Sequence, residues 1–326
     1  MQRIARWNRM ALVGVAFAAT VGAAIAQDYP KGPVRIVVPY PAGGYTDLLA
    51  RHLAAGLQAR LGQPFIVDNK PGAAAMIAAT EVARAPADGY TLLMTATNHA
   101  TSPAVLPKVP YDTQKDFAAI MLVAEGPHVL VVGAQSPFSS VKDVVAAAKA
   151  KPSDLTYSSS GKGGTVHFAG AMFEEAAGVD LIHVPYKGAA PAVQDLMAGQ
   201  VQLSFASLAS VSAQVRAGKL KLLAIAAPTR VADFPSVPTF AEAGYPTVSI
   251  SAWTGLLAPA KTPRAVLEKL ATQLQQIVAM PDVRQRLQAL GMTPGAVPLA
   301  DFDARIASEM GTFARIAKQR GIRADD

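Results

Sequence analysis

Residues 34–47 have the sequence VRIVVPYPAGGYTD, which contains the signals of three successive structural elements. Val34–Val38 is rich in β-branched residues, which is typical of a buried strand. A loop of small residues with paired Gly43-Gly44 follows it. Leucine then recurs at every fourth position from Leu49, which predicts an amphipathic helix over Leu48–Leu61. The stretch therefore predicts a strand, a glycine loop and a helix in direct succession.

The same arrangement recurs about 120 residues later. Residues 155–167 have the sequence LTYSSSGKGGTVH, in which a short strand leads through serines and Gly163-Gly164 into a second helical pattern. Two matching units predict two lobes, each of which directs a loop and a helix N-terminus at one shared cleft.

Strand and helix patterns alternate along most of the chain, which favours right-handed βαβ units and mainly parallel sheets in an α/β fold. Pro263 is predicted to begin a later helix, with Thr262 as its cap. The other predicted strands are Phe65–Val67, Tyr90–Met94, Val129–Val132, Leu155–Tyr157, Leu181–Val184, Val201–Phe205 and Leu220–Ala226, and the other predicted helices are Ala74–Ala83, Val141–Ala150, Ala190–Ala198 and Asp301–Lys318.

Residues 1–26 have the composition of a secretory signal peptide. Arg3, Arg6 and Arg9 precede an uncharged apolar run, and Ala24-Ile25-Ala26 places small residues at both positions that determine cleavage. The alternative is a membrane anchor, but the apolar run of about 15 residues is shorter than the roughly 20 that span a bilayer. We expect cleavage after Ala26 and a soluble protein in the periplasm.

The composition narrows the classes of function. The chain has no cysteine, which excludes disulfides, thiol catalysis, cysteine-ligated metals and a lipid-anchoring cysteine. Residues 1–26 carry three arginines and no acid, so the net charge of +7 falls to +4 after cleavage. So small an excess argues against a nucleic acid partner and suits an anionic small ligand. The five histidines are scattered, and we expect neither a metal nor a cofactor.

The paired glycines mark the candidate binding loops. Because glycine has no Cβ, a ligand can approach the backbone N–H groups closely. The N–H groups at a helix N-terminus are unpaired and carry the positive end of the helix dipole. This combination binds carboxylate or phosphate groups. The alternative for each loop is an ordinary turn, and the match between the two loops favours binding.

An exported serine hydrolase is the enzyme that the sequence suggests as an alternative to a binding protein. Ser159-Ser160-Gly161-Lys162 matches the S-x-x-K motif of penicillin-binding enzymes. However, the chain contains no S-D-N and no G-x-S-x-G, and Lys261-Thr262 is followed by proline instead of glycine. The residues around Gly161-Lys162 also lack the remainder of a nucleotide-binding phosphate loop. The sequence therefore predicts a binding protein and not an enzyme.

Seven motifs occur along the chain in a characteristic order. They are Pro41-Ala42-Gly43-Gly44-x-x-Asp47, Asn69-Lys70-Pro71-Gly72-Ala73, Asp88-Gly89-Tyr90-Thr91-Leu92, Pro110-Tyr111-Asp112 with Lys115-Asp116-Phe117, Tyr157-Ser158-Ser159-x-Gly161, His183-Val184-Pro185-Tyr186-Lys187-Gly188 and Trp253-x-Gly255-Leu256-x-Ala258-Pro259. Together they resemble the Bug family, the extracytoplasmic solute receptors of tripartite tricarboxylate transporters. The resemblance runs from about Tyr29 to the C-terminus.

The resemblance implies a two-lobed α/β periplasmic-binding-protein (Venus flytrap) fold with two crossover connections. One lobe would comprise residues 27–127 plus 253–326, and the other residues 128–252. It also implies capture of a small organic carboxylate and its delivery to integral-membrane transporter subunits. We expect the receptor to act as a monomer. A receptor that signals through a partner protein is the alternative that the sequence leaves open.

In such receptors, the two glycine loops and the segment after the third strand hold one carboxylate. Carried over by position, the predicted ligand-binding residues are Ala42, Gly43, Gly44, Asp47, Thr97, Asn98, Ser158, Ser159, Gly163, Gly164, Thr165 and His167. We add their neighbours Tyr45, Thr46 and Lys162, and Ala206 and Ser207 at the end of the later strand, to the predicted site. Neutral N–H and O–H donors in this set can hold a carboxylate without an arginine.

One departure from the family pattern bears on the ligand. Many members carry an acidic residue just after the strand that matches Val201–Phe205, where this chain has Ala206-Ser207. A ligand ammonium would lose its partner there, so we expect a dicarboxylate or an aromatic carboxylate rather than an amino acid. Lys162 is either the partner of a second carboxylate or a loop lysine that faces solvent.

Overall fold

The computed structural model describes residues 29–289, 291–297 and 299–324, which form a mixed α/β protein. The predicted signal peptide and its cleavage site lie outside these residues. The strands are β1 (Val34–Val38), β2 (Phe65–Asn69), β3 (Thr91–Ala96), β4 (Phe117–Gly133), β5 (Thr156–Ser159), β6 (Ile182–Pro185), β7 (Leu203–Ser207), β8 (Leu220–Ala226), β9 (Ser251–Pro259) and β10 (Thr293–Val297). The helices are α1 (Tyr45–Leu61), α2 (Met76–Ala83), α3 (Asn98–Val105), α4 (Val141–Ala150), α5 (Thr165–Ala177), α6 (Ala189–Met197), α7 (Leu208–Arg216), α8 (Arg264–Val278), α9 (Pro281–Ala289) and α10 (Leu299–Arg320).

The strands follow the order β2-β1-β3-β9-β4-β7-β5-β6, and β8 and β10 both pair with β4. The pairs of β1 with β2 and β3 are parallel, as are the pairs of β5 with β6 and β7. Every pair that involves β4 or β9 is antiparallel. The expectation of mainly parallel sheets is therefore wrong, because the strands that join the two parallel groups run in the opposite direction.

The 17-residue strand β4 connects the two parallel groups. Its first part pairs with β9 from Phe117 to Pro127. Its last part, His128–Gly133, pairs with β7 and β8. The chain therefore crosses once along β4 and returns to β9 at Ser251, which pairs with Pro127. These are the two crossings expected for this fold, and they lie beside the predicted lobe boundaries.

Several elements differ from their predicted bounds. The strand predicted at Val129–Val132 is only the end of β4. The helix predicted from Ala74 begins at Met76, after a 3₁₀ turn at Ala73–Ala75. Pro263 is the N-cap of α8 and not its first residue, so Thr262 is not the cap.

A partly buried charge network links β4, β9 and α10. Arg305 on α10 donates to Glu125 on β4 (2.9 Å), to Ser251 on β9 (2.6 Å) and to Glu309 one turn along its own helix (2.8 Å). The Trp253 indole N–H donates to the other oxygen of Glu309 (2.7 Å). Arg305, Glu125, Ser251 and Glu309 each have at least two partners, so the network fixes α10 against the place where the chain crosses.

Helix α10 also contacts α5, on the far side of the crossing. The centroids of the Phe313 and Phe168 rings lie 4.8 Å apart. Arg315 forms an ion pair with Glu175, with 2.5 Å between the guanidinium nitrogen and the carboxylate oxygen. The helix thus packs against elements from both parallel groups, and a single apolar core of buried residues extends beneath it.

We expect two glycine-to-alanine changes to have opposite effects on stability. A Cβ on the buried Gly255 of β9 would lie 2.4 Å from the Phe302 ring of α10, so Gly255→Ala should lower the free energy of unfolding by about 1–3 kcal/mol. Gly311, also on α10, has open space around its Cα, so Gly311→Ala should raise it by roughly 0.5–1 kcal/mol. Urea denaturation measures both values. Equal effects of the same sign would contradict the close packing of β9 on α10.

Candidate ligand-binding cavity

A cavity of about 600 Å³ lies where the two glycine loops, the crossing strands and α3 meet. The polar residues of its wall come from the two glycine loops, from the starts of α1, α3 and α5, and from β7 and β9. The described residues that line it are Tyr40, Tyr45, Thr46, Ala96, Thr97, Asn98, Thr101, Ser102, Val105, Leu106, Gly126, Pro127, Ser160, Lys162, Gly163, Gly164, Thr165, Ser207, Ala209, Ala252, Trp253, Thr254, Gly291, Met292 and Ala324.

The first glycine loop is held by a side chain of the helix that follows it. Gly43 has a φ of +83°, which glycine adopts without strain. Gly44 is extended, with φ −73° and ψ 164°, and is the N-cap of α1. The Gly43 N–H donates to the buried Asp47 carboxylate (2.8 Å), which also accepts from Arg51 (3.0 Å) and Asn69 (2.9 Å). Asp47 therefore fixes the loop from behind.

The second loop repeats this geometry with a different side chain. Gly163 has a φ of +72°, and Gly164 is the N-cap of α5 with φ −81° and ψ 168°. The Gly163 N–H donates to Nδ1 of His167 (3.1 Å), four residues along, as Gly43 does to Asp47. The repeat predicted from sequence is thus a repeat of backbone conformation and of the hydrogen bond that stabilises it.

The two anchoring side chains are held in opposite charge states. Burial raises the pKa of Asp47, but its hydrogen bonds from Arg51, Gly43 and Asn69 outweigh burial and leave the pKa below its ordinary value. Burial, with the nearby His183 and Lys162, lowers the pKa of His167 to about 3. Asp47 is therefore a carboxylate and His167 a neutral imidazole whose Nδ1 accepts.

Nine of the predicted binding residues line the cavity, and eight lie elsewhere. Those that line it are Tyr45, Thr46, Thr97, Asn98, Lys162, Gly163, Gly164, Thr165 and Ser207. Those outside its lining are Ala42, Gly43, Gly44, Asp47, Ser158, Ser159, His167 and Ala206. Ala42 to Gly44 are exposed at the loop tip.

Ser158 and Ser159, the first two serines of the second loop, form hydrogen bonds with other groups of the protein through their hydroxyls. The Ser158 hydroxyl, which is fully buried, donates to the Ser204 hydroxyl (2.9 Å). The Ser159 hydroxyl shares a 2.6 Å hydrogen bond with Nε2 of His183 and donates to the Gly161 carbonyl (3.1 Å). The His183 ring stacks on His167, with centroids 3.7 Å apart. These contacts shape the loop, and Ser160 is the serine of this run that reaches the cavity wall.

The sequence did not identify several residues of the wall. Thr101 and Ser102 lie on α3, one turn after Asn98. This helix gave no apolar period and contains Pro103, so it was not predicted. Tyr40 donates to Asn98 Oδ1 (2.5 Å). Its position between β1 and the first glycine pair is the one sequence feature that could have indicated its place in the wall.

The segment Thr97-Asn98 is set in place by β9. The Trp253 N–H donates to the Thr97 hydroxyl (2.7 Å), and the Thr97 N–H donates to the Trp253 carbonyl (3.1 Å). The buried Tyr45 hydroxyl also lines the cavity and lies near the side chain of Thr254 on β9. Burial raises the pKa of Tyr45 to about 12, so its phenol is neutral and able to donate.

The electrostatic character of the wall follows from this composition. Lys162 is the single charged side chain among the described residues that line the cavity, and these include no Asp or Glu. Hydroxyl, amide and backbone N–H groups supply the other polar atoms. The wall therefore offers donors and one positive charge, which suits an anion.

A second cavity of about 140 Å³ adjoins the first. The two share Ser160, Thr165, Ser207 and Ala252 in their walls. Ala206 lines this smaller cavity, so the position expected to select against an ammonium lies beside the main cavity and not in its wall.

Within the described residues, no group of three or more His, Asp or Glu side chains is placed to hold a metal ion. No helix of the part of the chain that the structure describes has both the length and the apolar character needed to cross a bilayer.

A mixed α/β fold with two crossings, and a cavity with polar groups in its wall at those crossings, are the features of periplasmic solute-binding proteins. The chain belongs to the tripartite tricarboxylate transporter receptor family, whose model matches residues 49–322. BugT of Bordetella pertussis is 33% identical over 319 residues, which cover 96% of this chain and 98% of BugT. The resemblance to the Bug family is thereby confirmed.

Two solved structures support the same assignment. A solute-binding protein of this family from Polaromonas has a TM-score of 0.82 and 32% identity, with 89% of this chain and 99% of that chain covered. Rpa4515 of R. palustris, solved with adipate, has a TM-score of 0.74 and 34% identity over 91% of this chain and all of that one. The periplasmic-binding-protein fold predicted from the sequence is confirmed.

We expect His167→Asn to make the protein's stability less sensitive to acid. With a pKa of about 3 in the folded protein and about 6.5 in the unfolded chain, His167 takes up a proton only on unfolding between these values. Stability therefore rises with pH in this window, by up to about 1.4 kcal/mol per pH unit for one proton. Asparagine retains an acceptor for the Gly163 N–H and does not titrate.

Urea denaturation of the wild type and of His167→Asn at several values between pH 4.5 and 6 measures the two slopes. The slope of the variant should be lower by about 1 kcal/mol per pH unit. Equal slopes would show that His167 is protonated in the folded protein.

Proposed function

We propose that the protein captures a small organic carboxylate in the 600 Å³ cavity and delivers it unchanged to the membrane subunits of a tripartite tricarboxylate-type transporter. A dicarboxylate or aromatic carboxylate is favoured. The observation that carries this proposal is the composition of the wall, with many neutral donors, one lysine and, among its described residues, no acid.

The helix starts supply the donors. Gly164 and Thr165 at the start of α5, and Tyr45 and Thr46 at the start of α1, all line the cavity. N–H groups in the first turn of a helix have no partner within the helix. Hydrogen bonds from such donors to a carboxylate are charge-assisted, and several of them offset the cost of removing the anion from water.

The adipate bound by Rpa4515 supports a dicarboxylate, because that protein covers nearly the whole of this chain at 34% identity. Export through a signal peptide at residues 1–26 would place this receptor in the periplasm, where the membrane subunits can receive its ligand. In this role the receptor releases its ligand without chemical change.

Ligand capture in this proposal involves closure of two lobes, residues 27–127 plus 253–326 and residues 128–252. The lobes would turn about β4 and β9, where Pro127 pairs with Ser251. Small-angle scattering should show a smaller radius of gyration when a saturating carboxylate is added to the purified protein. An unchanged radius at full occupancy, measured in parallel by calorimetry, would contradict closure.

We expect Gly164→Val to weaken ligand binding without loss of the fold. Gly164 has an ordinary negative φ, and a Cβ there would come no closer than 3.6 Å to its nearest neighbour, the Gly161 carbonyl oxygen. The branched side chain would occupy the approach to the first turn of α5. The affinity for adipate should fall at least tenfold, or about 1.4 kcal/mol, as measured by calorimetry.

Gly32→Val is the matched control, because Gly32 has open space and lies outside the cavity wall. The same two variants test delivery in a strain that lacks the receptor. Gly32→Val should restore uptake of the labelled carboxylate, and Gly164→Val should not. Recovery of a chemically altered ligand from the purified protein, or restored uptake with Gly164→Val, would contradict the proposal.

A further inference from the structure

The 140 Å³ side cavity is lined by a histidine whose ring nitrogens have no hydrogen-bond partner among the described residues. His128 is 1% exposed, lines this cavity, and forms no hydrogen bond with either ring nitrogen within the described residues. Buried polar atoms in folded proteins are almost always hydrogen-bonded, because leaving one unpaired costs about 1–3 kcal/mol. The cavity is far larger than the roughly 10–15 Å³ that one water requires, so a partner for the ring can enter it.

His128 is placed where both cavities and both crossings meet. It lies on β4 directly after Pro127, which lines the main cavity, and it pairs with Ser207, which lines both. The register of β4 with β7 also places Ala206 opposite the next residue, Val129. A ligand that extends from the helix starts of the main cavity past Ser207 would therefore meet His128.

A second buried histidine, His99, provides a comparison, because it lacks the access to a cavity that His128 has. His99 is 2% exposed, and its Nε2 also has no partner within the described residues. Its ring, however, packs between Tyr111 and Phe117, with centroids 6.0 and 4.8 Å away. It lines neither cavity. His99 is a core residue, whereas His128 borders a space that a ligand can reach.

We propose that the side cavity is a second polar subsite, and that His128 selects ligands there by donating an N–H to an oxygen at the far end of the carboxylate. This inference rests on the proposed function, since the first carboxylate must be held in the main cavity. The far-end oxygen belongs to a second carboxylate or to a hydroxyl group. Both accept a hydrogen bond from a neutral imidazole.

The other groups of the side cavity fit an oxygen and not an ammonium. Burial lowers the pKa of His128 to about 4, so the ring is neutral near pH 7 and provides one donor. Ser204, Ser207 and Ser210 contribute hydroxyls to the wall. Among its described residues there is no Asp or Glu, and a buried ammonium without an anionic partner is strongly disfavoured. Ala206 therefore acts together with His128 in setting this preference.

Ligands that differ only at the far end test the proposal. Calorimetry would compare adipate, 6-hydroxyhexanoate, hexanoate and 6-aminohexanoate, and then the matched four-carbon series succinate, 4-hydroxybutyrate, butyrate and 4-aminobutyrate. In at least one series the wild type should bind the dicarboxylate or hydroxy acid at least tenfold more tightly than the plain acid, and the amino acid most weakly. The better of the two oxygen-bearing acids identifies the far-end group.

Two variants of His128 and one control separate the outcomes. His128→Leu should reduce the preference for the oxygen-bearing acid to less than threefold and leave the affinity for the plain acid unchanged. His128→Asn, which keeps a donor, should retain part of the preference. His99→Leu, which also removes a buried imidazole with an Nε2 that lacks a partner among the described residues, should have no effect. Circular dichroism and thermal melts check that each variant is folded.

The failures of the two proposals are distinguishable. If the wild type binds no acid of either series and neither benzoate nor phthalate, the proposed carboxylate function fails. If it binds these aromatic acids alone, only the subsite proposal is overturned. If it binds oxygen-bearing and plain acids equally, or if His128→Leu keeps the wild-type preference, only the subsite proposal is overturned, and water is then the partner of His128.

Discussion

The rest of the structure depends on the pairing of one long strand, β4, with strands on both sides of the crossing. This strand is long enough to pair with β9 and β10 in its first part and with β7 and β8 in its last part. Because one backbone supplies both sets of hydrogen bonds, the two parallel groups keep a fixed register at the crossing. Gly126 and Pro127 line the main cavity at this point, and His128 lines the side cavity. The position of the cavities is thus a consequence of strand pairing.

The glycine loops show how a binding surface can be made rigid while the first turns of the helices keep their N–H donors for a ligand. In each loop, a glycine with positive φ gives its N–H to a side chain four residues later, a carboxylate in one case and a neutral imidazole in the other. Both acceptors lie outside the main cavity's wall, and the helix starts remain directed at the cavity. Such a loop is already ordered before a ligand arrives, so binding does not carry the entropic cost of ordering it.

The sequence predicted the local units of the fold well and the contacts between distant segments less well. Strand β1, helix α4 and strand β8 have the predicted bounds, because their apolar patterns are local properties. The first half of β4 was missed, since its buried run of Ala, Met and Leu has no alternation to reveal a strand buried on both faces. The inward positions of Thr101 and Ser102 depend on how α3 docks, which no local pattern records.

The same limit applies within the site. The sequence marked both glycine loops but could not show that Ser158 and Ser159 turn inward, because their partners, Ser204 and His183, come from neighbouring strands. His128 was read as one of several scattered histidines, and only the register of β4 against β7 brings it beside Ser207.

The C-terminal segment has a practical consequence for sensor engineering. The Ala324 N–H donates to the Val105 carbonyl (3.1 Å), Ile322 is buried, and Ala324 itself lines the main cavity close to Gly163. A reporter dye or fluorescent protein attached just after this segment would therefore sense events at the cavity mouth. By the same geometry, a purification handle fused there would alter the surface being studied.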